Sequence, residues 1–293
     1  MRTANLLSPT SLSSLLYDDN TSILSVNKYG VMETQKKETE LKNQEMEASI
    51  RYSRTIQGSI MSGEHNLYKH FPESFLIDKP KDIVSGDFFW LKEVNNKIIV
   101  VMADCTGHGV PAALLSVLGI SLLNQIVIEE ETTDPAEILK KLSLSLKKTF
   151  HNSNPINGTF NEGMDMAICC IDRDAETIDF EGALRPAYII SEKQLNIING
   201  SRHAITGDNN HDYRSKSYKF KKGDMLYLFS DGFADQFGGI KNKKLLVKRF
   251  QNILLNISHS SMGRQMITLE QIFMEWKSEM EQTDDIMIAG IKL

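Results

Sequence analysis

Four aspartates, Asp87, Asp104, Asp231 and Asp284, share one local setting. Each stands at the edge of an apolar, β-branched or aromatic run, beside a small or turn-forming residue. A single aspartate there is an ordinary turn residue. Four at separate strand ends are a different matter if those ends converge. Together they would form an all-oxygen pocket suited to Mg²⁺ or Mn²⁺, with no cluster of histidine or cysteine to favour zinc. Two such ions about 3.5–4 Å apart share a water, lower its pKa and clamp phosphoryl oxygens during an in-line displacement. The chemistry implied is hydrolysis of a phosphate ester without a covalent enzyme intermediate.

The segment that must position the first pair runs from Lys79 to Pro111. It reads as two strands, Phe88 to Val94 and Lys97 to Met102, joined by a tight turn at Asn95-Asn96, since asparagine accepts the left-handed backbone of such turns. Asp87 precedes the first strand and Asp104 follows the second, so a hairpin brings both to one end of a sheet. Carboxylates held close repel, and a bound cation is the simplest remedy.

Around this hairpin the elements alternate in blocks. Residues 1–30 lack periodicity and read as an extension that can be flexible. Residues 31–62, rich in Glu, Lys, Gln and Met, predict a helix, either packed on its own domain or serving as a parallel coiled-coil linker and dimer contact. After Pro111 an apolar helix spans 112–128. Asp134 caps a second helix over 136–150. Strands follow at 164–171, 177–182, 186–190, 195–198 and 225–230, helices at 243–256 and 269–281, and a closing strand at 285–292. Strands in meanders with helices inserted in pairs exclude a simple βαβ alternation and suggest two sheets flanked by helices.

The chain has 293 residues, 41% hydrophobic and 24% charged, enough apolar material for a sizeable core. Its net charge of −5 argues against nucleic acid or an anionic membrane as partner. Three cysteines, Cys105, Cys169 and Cys170, have no metal-ligand spacing and point to a reducing, cytoplasmic setting. No stretch of about 18 apolar residues is expected, and the N-terminus lacks a basic region followed by an apolar core.

The blocks KDIVSGDFFW, ADCTGHGVPAALLSVLG, SDGFADQFGG and DDIMIAGIKL resemble, in order, the signature blocks of the SpoIIE-type serine phosphatases, a bacterial branch of the metal-dependent protein phosphatase 2C (PPM) superfamily. YSRTIQGSIM resembles the helix that enters that domain. The resemblance covers about residues 50–293 and implies a phosphatase domain over 63–293 with an α+β, αββα four-layer sandwich. It implies that Asp87 binds water around the metals, that Asp104 bridges both ions, and that the Cys105 backbone carbonyl, Asp231 and Asp284 complete a site for two Mn²⁺ or Mg²⁺ ions. The implied reaction is attack of a metal-bridging water on phosphoserine or phosphothreonine of a partner, often a STAS-type anti-sigma-factor antagonist. The alternative is a phosphoprotein-binding scaffold of the same fold that has lost turnover.

Several residues keep two readings. His108, four places after Asp104, either donates a proton or caps the turn made by Gly107 and Gly109. Arg185 either stabilises a turn or lines the cleft, or else binds phosphate, in the absence of an arginine near the N-terminal strand. Asp165 either supports the ligands or holds its loop. Asp285 receives no direct role. Lys241 to Lys244 form either a solvated loop or a surface for an acidic partner.

Overall fold

The computed structural model describes residues 13–61, 63–151, 162–206 and 211–293. The chain divides into two units, Met1–Tyr52 and Ser53–Leu293. Within the first unit the described residues belong to one long helix, α1 (Ser13–Ile60). It begins well before residue 31, so residues 13–30, expected as an extension, are helical. They hold no proline after Pro9, and helix propagation from a strong downstream segment adds a hydrogen bond per residue fixed. From Met32 to Ser49 every side chain is exposed. The pairs Lys36–Glu40, Glu38–Lys42 and Glu47–Arg51 lie four residues apart on its surface.

In the second unit a short helix, α2 (Gly63–His70), leads into β1 (Ser74–Lys79). The central hairpin is β2 (Phe88–Val94) and β3 (Lys97–Cys105), and its turn residues Asn95 and Asn96 have φ of 52° and 62°. Helix α3 (Gly109–Leu123) continues into a π-helical turn, Asn124–Glu129, and α4 (Pro135–His151) follows. The Glu137 N–H donates to Asp134 Oδ1 at 2.9 Å, so Asp134 caps α4 as expected. Part of the expected loop 151–163 lies outside the described residues. Then come β4 (Gly163–Asp172), β5 (Thr177–Ala183), β6 (Ala187–Ser191), β7 (Gln194–Ile198), β8 (Ile205–Thr206), β9 (Lys216–Lys219) and β10 (Met225–Phe229). A four-residue helix, α5 (Gly232–Asp235), and a small hairpin, β11 (Phe237–Gly238) with β12 (Lys243–Lys244), precede α6 (Val247–Ile257), α7 (Met262–Lys277) and β13 (Ile286–Lys292).

Two antiparallel sheets result. One is ordered β1-β13-β10-β6-β7, the other β2-β3-β4-β5-β9 with β8 added on β4. The period-2 alternation of β3 explains the layering. Ile98, Val100 and Met102 enter the core between the sheets, where Leu226, Leu228, Met287 and Ala289 meet them. Ile99, Val101 and Ala103 face the opposite way and pack under Leu115, Leu123 and Leu139 of α3 and α4. On the other side, Tyr227, Phe229, Ile286 and Ile288 pack against Phe250, Leu254 and Phe273 of α6 and α7. This is the expected α+β, αββα sandwich. Each fully buried aliphatic side chain contributes roughly 1.5–3 kcal/mol, and the central strands supply most of them, while β7 and β9 at the outer edges stay half-buried or exposed.

The expected absence of a long apolar stretch needs correction. Gly109–Glu129 spans 21 residues with mean hydropathy 1.9, long and apolar enough by length and composition to cross a membrane. It stands between sheet and solvent instead, with Ala112, Ile120, Leu123 and Ile126 buried in the core. Small residues and a lack of charge served packing here.

Candidate metal centre and phosphate site

Strand pairing carries the acids to one end of the sandwich. In the hairpin Phe88 pairs with Ala103, placing Asp87 and Asp104 together, and Asp104 lies directly across from Asp165 on β4. In the other sheet Phe229 pairs with Ile288, so Asp231 after β10 and Asp284-Asp285 before β13 emerge side by side. The Ser230 N–H donates to the Met287 carbonyl at 2.9 Å, and the Met287 N–H donates to Ser230 Oγ at 2.9 Å. That double tie holds the two acidic segments in register.

Asp285 joins the two sheet ends. Buried, it accepts hydrogen bonds from the backbone N–H groups of Lys81 and Gly86, both at 2.7 Å. Gly86 itself approaches closely: an added Cβ would stand 2.8 Å from Ala112 Cβ and 3.3 Å from the Cys105 carbonyl oxygen. That carbonyl therefore lies beside the Asp87 loop. Behind it, Gln57 donates to the Ser85 carbonyl at 2.7 Å and to Ser116 Oγ at 3.0 Å. Gln236 accepts from the Thr283 N–H at 3.0 Å and donates to the Glu281 carbonyl at 2.9 Å, holding the strand that carries Asp284.

One guanidinium stands among the acids. Arg185 Nη2 donates to Asp104 Oδ2 at 2.6 Å and to Asp231 Oδ2 at 2.8 Å, and lies 3.1 Å from Asp165 Oδ2. Asp104 and Asp231, from different sheets, thus share a single nitrogen. Asp87 is only 2% exposed, and its Oδ2 has no hydrogen-bond partner. Burial, then the nearby Asp104 charge, pushes the Asp87 carboxyl well above its ordinary range. Burial raises Asp104 to about 7 although Arg185 pulls the other way. Asp284 and Asp165 are also raised, chiefly by burial. A crowd of desolvated carboxylates of this kind calls for positive charge or protons.

Whether the residues suit divalent ions can be judged on these donors. Every group offered is a carboxylate or carbonyl oxygen, one buried carboxylate oxygen is unsatisfied, and a cation already occupies the centre in the form of Arg185. As the side chains stand, no three His, Cys, Asp or Glu groups among the described residues are close enough to ligate one ion. The donor set fits hard cations once the guanidinium gives way. Cys105 offers no thiolate, because burial raises its thiol well above the ordinary range, and all three cysteines are buried and free.

His108 does not enter this cluster. Its Nδ1 pairs with Asp82 Oδ2 at 2.6 Å on an exposed turn, with Gly107 and Gly109 at φ of 85° and 72°. Its ring makes no hydrogen bond to the N-terminus of α3. The roles of Asp285 and Arg185 are what the residue pattern alone did not reveal. Asp285 could have been suspected from the doubled acid; the sequence singles out Arg185, but nothing local to a lone arginine before a proline announces its pairing with Asp104, Asp165 and Asp231.

The family model described as Stage II sporulation protein E (SpoIIE) matches residues 95–293. The phosphoserine phosphatase RsbU of Bacillus subtilis (strain 168) is 25% identical over 194 residues, covering 65% of this chain and 53% of that protein. The chain thus spans about half the length of this curated relative. Among solved structures, the SiaA-PP2C domain of Pseudomonas aeruginosa has a TM-score of 0.78 at 26% identity, over 86% of this chain and 98% of that one. RsbX in complex with magnesium has a TM-score of 0.52 at 14% identity, over 75% of this chain and 94% of that one, a likeness of fold.

Proposed function

The chain belongs to the SpoIIE family of PP2C-type phosphatases, and from that premise we propose that it is a divalent-metal-dependent protein serine/threonine phosphatase acting on a phosphorylated regulatory protein. The observation that carries this reading is the meeting of Asp104 and Asp231, from separate sheets, on one nitrogen beside the unsatisfied Asp87. Asp87, Asp104, Asp231, Asp284 and the Cys105 carbonyl would hold two Mn²⁺ or Mg²⁺ ions. Such ions supply a hydroxide equivalent near neutral pH and draw charge from the phosphoryl oxygens. The chain's own contribution is placement. Asp285 locks the Asp87 loop to the far sheet, and Ser230 aligns Asp231 with Asp284.

A protein substrate is favoured by the surface beside the site. The β11–β12 hairpin borders a groove of about 730 Å³ lined by Lys241, Lys243, Lys248, Arg249, Ile240 and Trp276. Lys244 anchors its edge on Asp235 at 2.8 Å, and that bond, with the charges of Asp235, Asp231 and Asp284, raises its pKa. A basic, partly apolar groove in an acidic chain fits an acidic protein, such as a STAS-type anti-sigma-factor antagonist.

The test is release of phosphate with Mn²⁺ from such a phosphorylated protein and from an aryl phosphate. Asp104→Ala and Asp231→Asn should each lower the rate about 10³-fold. Equal, near-zero rates in wild type and both variants would favour the inactive scaffold. The homodimer proposed through α1 draws on the exposed Met32, Leu41, Met46 and Tyr52. Deleting residues 1–50 should then halve the mass seen by sedimentation, and an unchanged mass would dismiss the dimer.

A further inference from the structure

Arg185 sits in the bend that carries the chain from β5 in one sheet to β6 in the other, at the acidic end of both. That bend is tightly determined. Leu184 has φ of 62°, its N–H donates to the Ser201 carbonyl at 2.9 Å, and the Ser201 N–H donates back to the Gly182 carbonyl at 2.6 Å. An added Cβ at Gly182 would lie 2.1 Å from the Arg185 carbonyl oxygen, so only glycine admits this path. Leu184 turns outward, half exposed, and Arg185 turns inward with 12% of its side chain exposed. The scaffold therefore aims the guanidinium and leaves its far end to the acids.

The bonding of that far end is one-sided. A single nitrogen, Nη2, contacts Asp104, Asp165 and Asp231. Nε is buried without a hydrogen-bond partner. A structural arginine in a buried ion pair is normally satisfied around its planar fork. Here one corner gathers three carboxylates, and two of them are assigned to the metals.

We propose that Arg185 is the exchangeable counter-ion of the metal centre: it neutralises Asp104, Asp165 and Asp231 in the metal-free protein and is displaced from Asp104 and Asp231 when a divalent ion enters. The inference rests on the reading of these acids as metal ligands. A divalent ion entering among the oxygens that now face Nη2 would meet a like charge at close range, and that repulsion grows as the water between them is excluded. A species that stabilises the metal-free form lowers apparent metal affinity by the same coupling free energy. Arg185 thereby relieves the repulsion among the acids when no ion is bound, at the expense of affinity, and Asp165 keeps the released guanidinium within reach.

Arg185→Met keeps the length and removes the charge. Mn²⁺ binding to this variant, by titration calorimetry, should be at least about fivefold tighter than to wild type. Its metal-free melting temperature should fall, while the melting temperature at saturating Mn²⁺ should fall much less, so the rise on adding metal becomes larger. Arg185→Lys should lie between. A merely structural arginine would lower both melting temperatures equally and leave Mn²⁺ affinity unchanged, and that result would overturn the proposal. Should Arg185→Met not fold, a Mg²⁺ titration of the full-length wild type, followed on the arginine Nε–H resonances with Arg185→Lys as the assignment control, decides the matter. The Arg185 resonance must shift in step with binding, and a resonance that stays put rejects the exchange. Wild type that binds no Mn²⁺ would remove both the metal reading and this inference. Binding that is equal in wild type and variant would remove the inference alone.

Discussion

The two ends of the sandwich use charge in opposite ways. At the end of β4 that carries Asp165, the guanidinium of Arg185 contacts Asp104, Asp165 and Asp231, and the charges of Asp104, Asp284 and Asp285 act on Asp87 nearby. At the other end of β4, near Arg173, a cavity of about 400 Å³ is lined by His70, Phe71, Glu73, Phe220, Lys292 and Leu293. There the signs alternate. Lys292 pairs with Glu73 at 2.8 Å, His70 stands 3.7 Å from Glu93, and Arg173 stacks over Phe71 while donating to the His70 carbonyl. This hollow is electrostatically at rest. The acidic end holds raised carboxyl pKa values and an unsatisfied carboxylate. Unrelieved like charge, more than cavity size, marks the site.

The comparison breaks most sharply at Asp285. Replacing it with alanine strips one buried and one half-buried backbone N–H group of their acceptor, a loss of about 3 kcal/mol and several degrees in melting temperature. A melting temperature within a degree of wild type would mean that the sheet ends are not tied through this residue. A smaller effect should follow pH. Asp104 is raised from 3.8 to about 7 in the folded chain, with burial the chief cause. The folded state then binds more protons than the unfolded state between those values, so metal-free stability should fall as pH rises from about 4 to about 7, then level off. Asp87, Asp165 and Asp284 are raised too and act in the same direction. Saturating Mn²⁺ should abolish or reverse that decline, because metal competes with protons for the same oxygens. Thermal melts across this range with and without Mn²⁺ supply the check. A metal-free protein that becomes more stable toward pH 7 contradicts the electrostatic account. Smallest of all, Glu73→Gln at the resting end should cost about 0–1 kcal/mol and leave phosphate release unchanged, since its pair with Lys292 is exposed. A large loss of activity there would show that the two ends are coupled.

Several expected elements lie close to their sites. The Asn95-Asn96 turn, the capping Asp134, the apolar helix after Pro111 and the closing strand all rest on local backbone preferences and hydrophobic period. The short strands β1, β8 and β9 and helix α2 were not anticipated. Their residues carry little pattern of their own, and the strands among them form because neighbouring strands offer unpaired edges: Ser74–Lys79 pairs with Ile286–Ile291 of β13, and Lys216–Lys219 pairs with β5. The helix anticipated from Lys243 begins only at Val247, because Lys243–Lys244 pairs with Phe237–Gly238 instead. Tertiary pairing overrode helix propensity there.

By itself the sequence determined the local grammar: which runs are strands, where turns fall, which aspartates stand at strand ends, and a family resemblance that the family match upholds. Only the tertiary structure decided that Asp104 and Asp231 meet on Arg185, that Asp285 is a brace, and that His108 turns to Asp82. The reason is range. A hydrogen bond within a turn is encoded by a few adjacent residues, whereas a carboxylate's partner across two sheets depends on register, twist and packing set by the whole core.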